Sequence, residues 1–119
     1  MGGGAKVRLL ERLTTQPYVG TFSNVRAELL LRERQGLAET AFVEIVIWRV
    51  PQSVPASGHD FKYSLALVAA GFCVLRYDNE AGKGDHKHIA GREVAYRFID
   101  MVTLQADFWN DVETWRAGR

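Results

Sequence analysis

The stretch "ETAFVEIVIWRVP", residues 39–51, decides the fold. Phe42, Val43, Ile45, Val46, Ile47, Trp48 and Val50 crowd it with β-branched and aromatic side chains, which fit a pleated strand better than a helix. Pro51 and Pro55 end the run, and "QSVPASGH" between them and beyond reads as a loop. Upstream, "RAELLLRERQ" (26–35) has a leucine-rich centre flanked by charges, with Gln35-Gly36 offering a turn. Downstream, "DFKYSLALVAAG" (60–71) sets Phe61, Tyr63, Leu65 and Leu67 on one face. Ala70-Gly71 then leaves so little chain before "FCVLRYDN" (72–79) that a tight hairpin is required. Strands joined this closely must run antiparallel, because parallel pairing needs a long crossover.

The period changes near the end. In "DMVTLQADFWNDVETWR" (100–116), Met101, Leu104, Phe108, Val112 and Trp115 fall on one face of a helix. Asp100 or Thr103 can cap its start, and Gly118 lies just past its end. The expected fold is therefore α+β: an antiparallel meander of about four strands, with the C-terminal amphipathic helix covering one face and burying Leu104, Phe108 and Trp115. Residues 25–119 form this single domain. Residues 1–24 read as an extension: Gly2, Gly3 and Gly4 favour flexibility, and "AKVRLLERL" keeps helical spacing only until Pro17 and Gly20.

Composition excludes several classes. At 119 residues, 47% apolar and 24% charged, the chain has the make-up of one folded domain and not of disorder. Its single cysteine, Cys73, excludes an internal disulfide, and its place in an apolar run predicts a small buried residue in a reducing compartment. No apolar run is long enough to span a membrane, and the first residues lack the apolar centre of a signal peptide, so a cytoplasmic location is expected. A net charge of +1 excludes the basic coat of a non-specific DNA binder. Any nucleic-acid contact must come from a local patch, and Arg76, Lys83, Lys87 and Arg92 supply one.

The chemistry gathers in "RYDNEAGKGDHKH", residues 76–88, which holds two of the three histidines; the other is His59. Strand alternation puts Phe72, Val74, Arg76 and Asp78 on one face and Cys73, Leu75, Tyr77 and Asn79 on the other. Glu44 is the only acid between Ala41 and Arg49. It is either solvated on an open sheet face or paired with Arg76 or a histidine inside a site. Glycines 82, 84 and 91 loosen the loop that follows, but "GKGD" lacks the spacing and ending of a phosphate-binding loop. In an extended segment His86 and His88 project to one side and Lys87 to the other. Four readings stay open: acid–base work, metal binding with Asp78 or Asp85 as a third ligand, anion binding without chemistry, and ordinary surface histidines.

The runs "AFVEIVIWRVP" and "YSLALV", and above all "LRYDNEAGKGDHKH", resemble the TumE-type toxins of prokaryotic toxin–antitoxin systems over about residues 27–115. The family pattern falls on Glu44, Tyr63, Arg76, Tyr77, Asp78, Asn79, His86, Lys87 and His88. The resemblance implies a toxin neutralised by a cognate antitoxin protein, acting as a ribonuclease on RNA. Joined to the residue reading, it predicts a metal-independent and cofactor-free hydrolase. His86 and His88 serve as base and acid, Arg76 and Lys87 hold the scissile phosphate, and Asp78 orients a histidine or the arginine. Glu44 completes the catalytic set, and Asn79, Lys83, Tyr63 and Tyr77 line the substrate. A homodimer is compatible with this reading, and no membrane is involved. Two alternatives remain: a non-catalytic module that binds RNA or antitoxin, and a His-x-His metal-dependent nuclease or nucleotidyl transferase.

Overall fold

The computed structural model describes residues 27–80 and 82–119; the extension expected over residues 1–24 lies outside them. Six strands precede one helix: β1 Glu28–Ala38, β2 Ala41–Arg49, β3 Phe61–Ala69, β4 Phe72–Asp78, β5 His86–Ile89, β6 Arg92–Ala95 and α1 Met101–Ala117. All are neighbours in chain order in a single antiparallel sheet. The α+β class and the meander are as expected, but the strand count is six, not four. β5 and β6 occupy what reads as a loop, because "HKHI" and "REVA" are four-residue strands in which histidines and charges replace the usual β-formers. Ala90 and Gly91 sit at φ 53° and 76°, the twist that closes a two-residue hairpin; Ala70 and Gly71 do the same between β3 and β4 at 51° and 83°.

β1 runs on past Gln35-Gly36 and turns at Glu39-Thr40, an irregularity between Gly36 and Ala38 taking up the kink that the glycine signals. A second irregularity matters more. Leu67 pairs with Leu75 but Val68 pairs with Cys73, so Val74 is an extra residue in β4. The bulge inverts the alternation at its start. Cys73 and not Phe72 joins Val68 on the face of Arg76, and Cys73 is exposed where a buried thiol is expected.

Alternation gives the sheet two unlike faces. Val43, Ile45, Ile47, Tyr63, Leu65, Leu67, Leu75 and Tyr77 form one buried layer, on which Leu104, Phe108 and Val112 of α1 close the core. Trp115 is half-buried at its edge, one turn beyond Val112. Asp100 caps the helix, its Oδ1 accepting the Thr103 amide at 2.7 Å. Among the described residues no helix is long and apolar enough to cross a membrane.

Candidate functional site

The face away from α1 carries the site, and the strand register builds it. One row across the sheet runs Arg34, Glu44, Ala66, Arg76, His88, Glu93; the next runs Arg32, Val46, Ser64, Asp78, His86, Ala95. Arg76, Asp78, His86, His88 and Glu93 thus converge on three adjacent strands. Asp78 Oδ1 lies 2.6 Å from His86 Nε2, which is also 3.2 Å from Glu93 Oε2. His88 Nε2 is 3.9 Å from the same Glu93 oxygen, and the two imidazoles meet edge to face at 5.1 Å. Arg76 stands 3.7 Å from Asp78 Oδ2, and Lys83 3.6 Å from Glu93.

Exposure divides these groups. The side chains of Asp78 and His86 are 7% and 5% exposed, whereas those of Arg76, His88 and Glu93 are about 40% exposed. The cluster is a buried acid–imidazole pair beneath a reachable rim of arginine, imidazole and carboxylate. His86 is fixed from behind, its Nδ1 lying 2.9 Å from the Gly84 carbonyl. A carbonyl oxygen only accepts, so Nδ1 carries a hydrogen, and Nε2 faces the two carboxylates. Asp78 Oδ1 is fully enclosed, and the His86 imidazole at 2.6 Å is the polar group that faces it.

The remaining residues singled out from sequence lie elsewhere. Lys87 points to the helix side, where Nζ contacts Asp111 at 3.1 Å and the Tyr77 hydroxyl at 3.3 Å. Tyr77 donates to Asp111 at 2.5 Å and packs edge-on against Phe108. Tyr63 is buried in the same layer. Glu44 pairs with Arg32 at 3.7 Å and stands two strands from Arg76, about 10 Å by backbone spacing. Asn79, 1% exposed, is spent on the fold. Lys83 alone of the expected substrate contacts reaches the rim.

Two groups escaped the sequence reading. Glu93 did so because β6 reads as loop; the signal was its place opposite His88 across the Ala90-Gly91 turn. The other is a network at the end of the sheet. Asp85 binds the Ser57 hydroxyl and, at 2.7 Å, His59 Nε2, while His59 Nδ1 accepts the Phe61 amide at 3.2 Å. Asp85, read as a candidate third metal ligand, is therefore taken by His59 and Ser57. His59 stacks on Phe98 at 3.7 Å beside a cleft of about 340 Å3. Each ring nitrogen of His59 has its partner, and the Ser57 proton goes to a carboxylate, so the trio clamps two loops together and lacks a free nucleophile.

The family model described as Toxin TumE matches residues 10–116, nearly the whole chain and including part of the stretch read as an extension. No curated protein and no solved structure matches the chain.

Proposed function

The chain belongs to the TumE toxin family, which implies a toxin–antitoxin system and an antitoxin partner, and we propose that it is a ribonuclease whose centre is the rim formed by Arg76, His88 and Glu93. The observation that supports this reading is their shared row on adjacent strands, half-exposed above the buried Asp78–His86 pair. RNA cleavage without a metal needs a base for the ribose 2′-hydroxyl, an acid for the leaving oxygen and a cation for the phosphate. Glu93 takes the 2′-hydroxyl proton as that oxygen attacks phosphorus. The bond from phosphorus to the 5′-oxygen breaks, and His88 in its protonated form gives that oxygen its proton. A 2′,3′-cyclic phosphate and a 5′-hydroxyl result. Arg76 grips the non-bridging oxygens with its planar fork. His86, paired with the sequence reading's base or acid role, is too enclosed to touch an RNA backbone; it and Asp78 position the rim.

Purified protein in a chelating buffer tests this on a short RNA carrying a single ribose target. His88→Ala and Glu93→Gln should each slow cleavage by about 10²–10⁴-fold, and Arg76→Lys should also impair it. Replacing the target ribose by deoxyribose should abolish cleavage at that position. RNA retention with no strand scission by any form would instead support a binding module.

A further inference from the structure

We propose that Asp78, His86, His88 and Glu93 also form a site for one first-row divalent cation, with zinc the best match. One ligand atom from each of Asp78, His86 and His88 already lies within 4.8 Å of the other two. Glu93 Oε2 joins them at 3.2 Å from one imidazole and 3.9 Å from the other. In a tetrahedral zinc site with bonds of 2.0–2.1 Å, neighbouring ligand atoms are about 3.3 Å apart, so shifts of an ångström or so close the shell. Two imidazoles with two carboxylates suit a borderline cation better than calcium or magnesium, which take all-oxygen shells.

The independent sign is how the buried pair is satisfied. The Gly84 carbonyl takes the hydrogen on His86 Nδ1 and turns Nε2 to the cluster. That nitrogen faces Asp78 Oδ1, an enclosed oxygen with no other polar contact, and the Glu93 oxygen. Two carboxylate oxygens converging on one enclosed imidazole nitrogen call for positive charge among them, which a proton on Nε2 or a cation bound by all three supplies. A histidine locked by a backbone carbonyl on its far nitrogen is also the usual support of a metal ligand. β4, β5 and β6 deliver the four groups from a sheet and not from a mobile loop, so the site is formed before the ion arrives.

The consequence, which rests on the ribonuclease reading above, is regulatory. A cation held by His88 and Glu93 occupies the lone pairs that cleavage needs, so bound zinc silences the enzyme. Calorimetric titration of chelator-stripped protein with zinc chloride should show one ion per chain at micromolar or tighter affinity. Cobalt in its place should give the visible bands of a tetrahedral nitrogen–oxygen site. His88→Ala and Glu93→Gln, both at the exposed rim, should keep the fold by circular dichroism, weaken zinc binding at least about tenfold and alter the cobalt bands. Absence of binding, or binding unchanged in both variants, overturns the site. One equivalent of zinc should suppress RNA cleavage, and chelator should restore it. Cleavage that requires zinc keeps the site and overturns the metal-free mechanism. Cleavage by no form, with zinc still bound, overturns the ribonuclease reading alone.

Discussion

The Tyr63 amide donates to Asn79 Oδ1 at 3.0 Å, and the same Asn79 side chain returns a hydrogen bond to the Phe61 carbonyl at 2.7 Å. A side chain beyond the end of β4 thereby completes the edge of β3 where the ladder runs out, and its remaining hydrogen goes to Ser57 Oγ at 3.1 Å. Asn79→Ala strands a buried amide and a buried carbonyl, so it should cost about 2–4 kcal/mol in urea unfolding. A loss of activity with unchanged stability would return Asn79 to the substrate side.

The helix is held on by a few residues. Phe108 is completely buried and meets Tyr77 and Trp109 edge-on at 5.9 and 5.5 Å. Phe108→Ala should destabilise the protein by about 3–5 kcal/mol, with Trp115→Ala costing distinctly less because part of that side chain is already outside. Equal losses would mean that the helix sits differently.

Lys87 discriminates between the two faces. It lies between His86 and His88 in sequence yet bonds Asp111 of the helix. Lys87→Met should leave the RNA cleavage rate within about twofold, while removing roughly 1 kcal/mol of stability as Asp111 keeps only the Tyr77 hydroxyl. A drop of a hundredfold with the fold intact would put Lys87 at the phosphate after all.

Gly84 has a second reason to be glycine. Its φ is +74°, and a Cβ there would stand 2.9 Å from the Ala56 carbonyl oxygen. Gly84→Ala should therefore cost more stability than Gly82→Ala, whose φ is similar at +88° but whose Cβ meets nothing. Because the Gly84 carbonyl fixes His86, the same variant should also weaken zinc binding.

Burial raises the pKa of Tyr63, Tyr77 and Tyr96 above the ordinary 10.0, with Asp85, Asp111 and Asp107 as their respective carboxylate neighbours. The folded state thus keeps protons that the unfolded chain gives up. Stability is whole below pH 10 and falls as the pH rises above it. Tyrosinate absorbance from these three should appear together with the loss of near-ultraviolet dichroism. Ionisation of Tyr63, Tyr77 or Tyr96 ahead of unfolding, assigned through the Tyr→Phe variant of each, would contradict this.

The central strands and the helix were legible because burial on one face writes a period into the sequence: Val43, Ile45 and Ile47 alternate, and Leu104, Phe108 and Val112 recur by turns. The last hairpin was not, since its two four-residue strands hold histidines and charges in place of the usual β-formers, and β6 is exposed throughout. Parity set Arg76 with Asp78 and His86 with His88, each pair on one face; that the two pairs meet needed the β4–β5 pairing. Glu93 needed the hairpin to be known, and the fate of Cys73 needed the bulge at Val74, which no period announces. Tyr63, Tyr77 and Lys87 show the limit of reading proximity along the chain: a one-residue step changes the face.

In this sheet every neighbour is the next strand in the chain. Such a ribbon can zip up from its start as synthesis proceeds, each new strand finding its partner already waiting. The rim, however, draws on β4, β5 and β6, and the covering helix comes later still. On the ribonuclease reading proposed above, the nascent chain therefore carries no cleavage centre until β6 has been made.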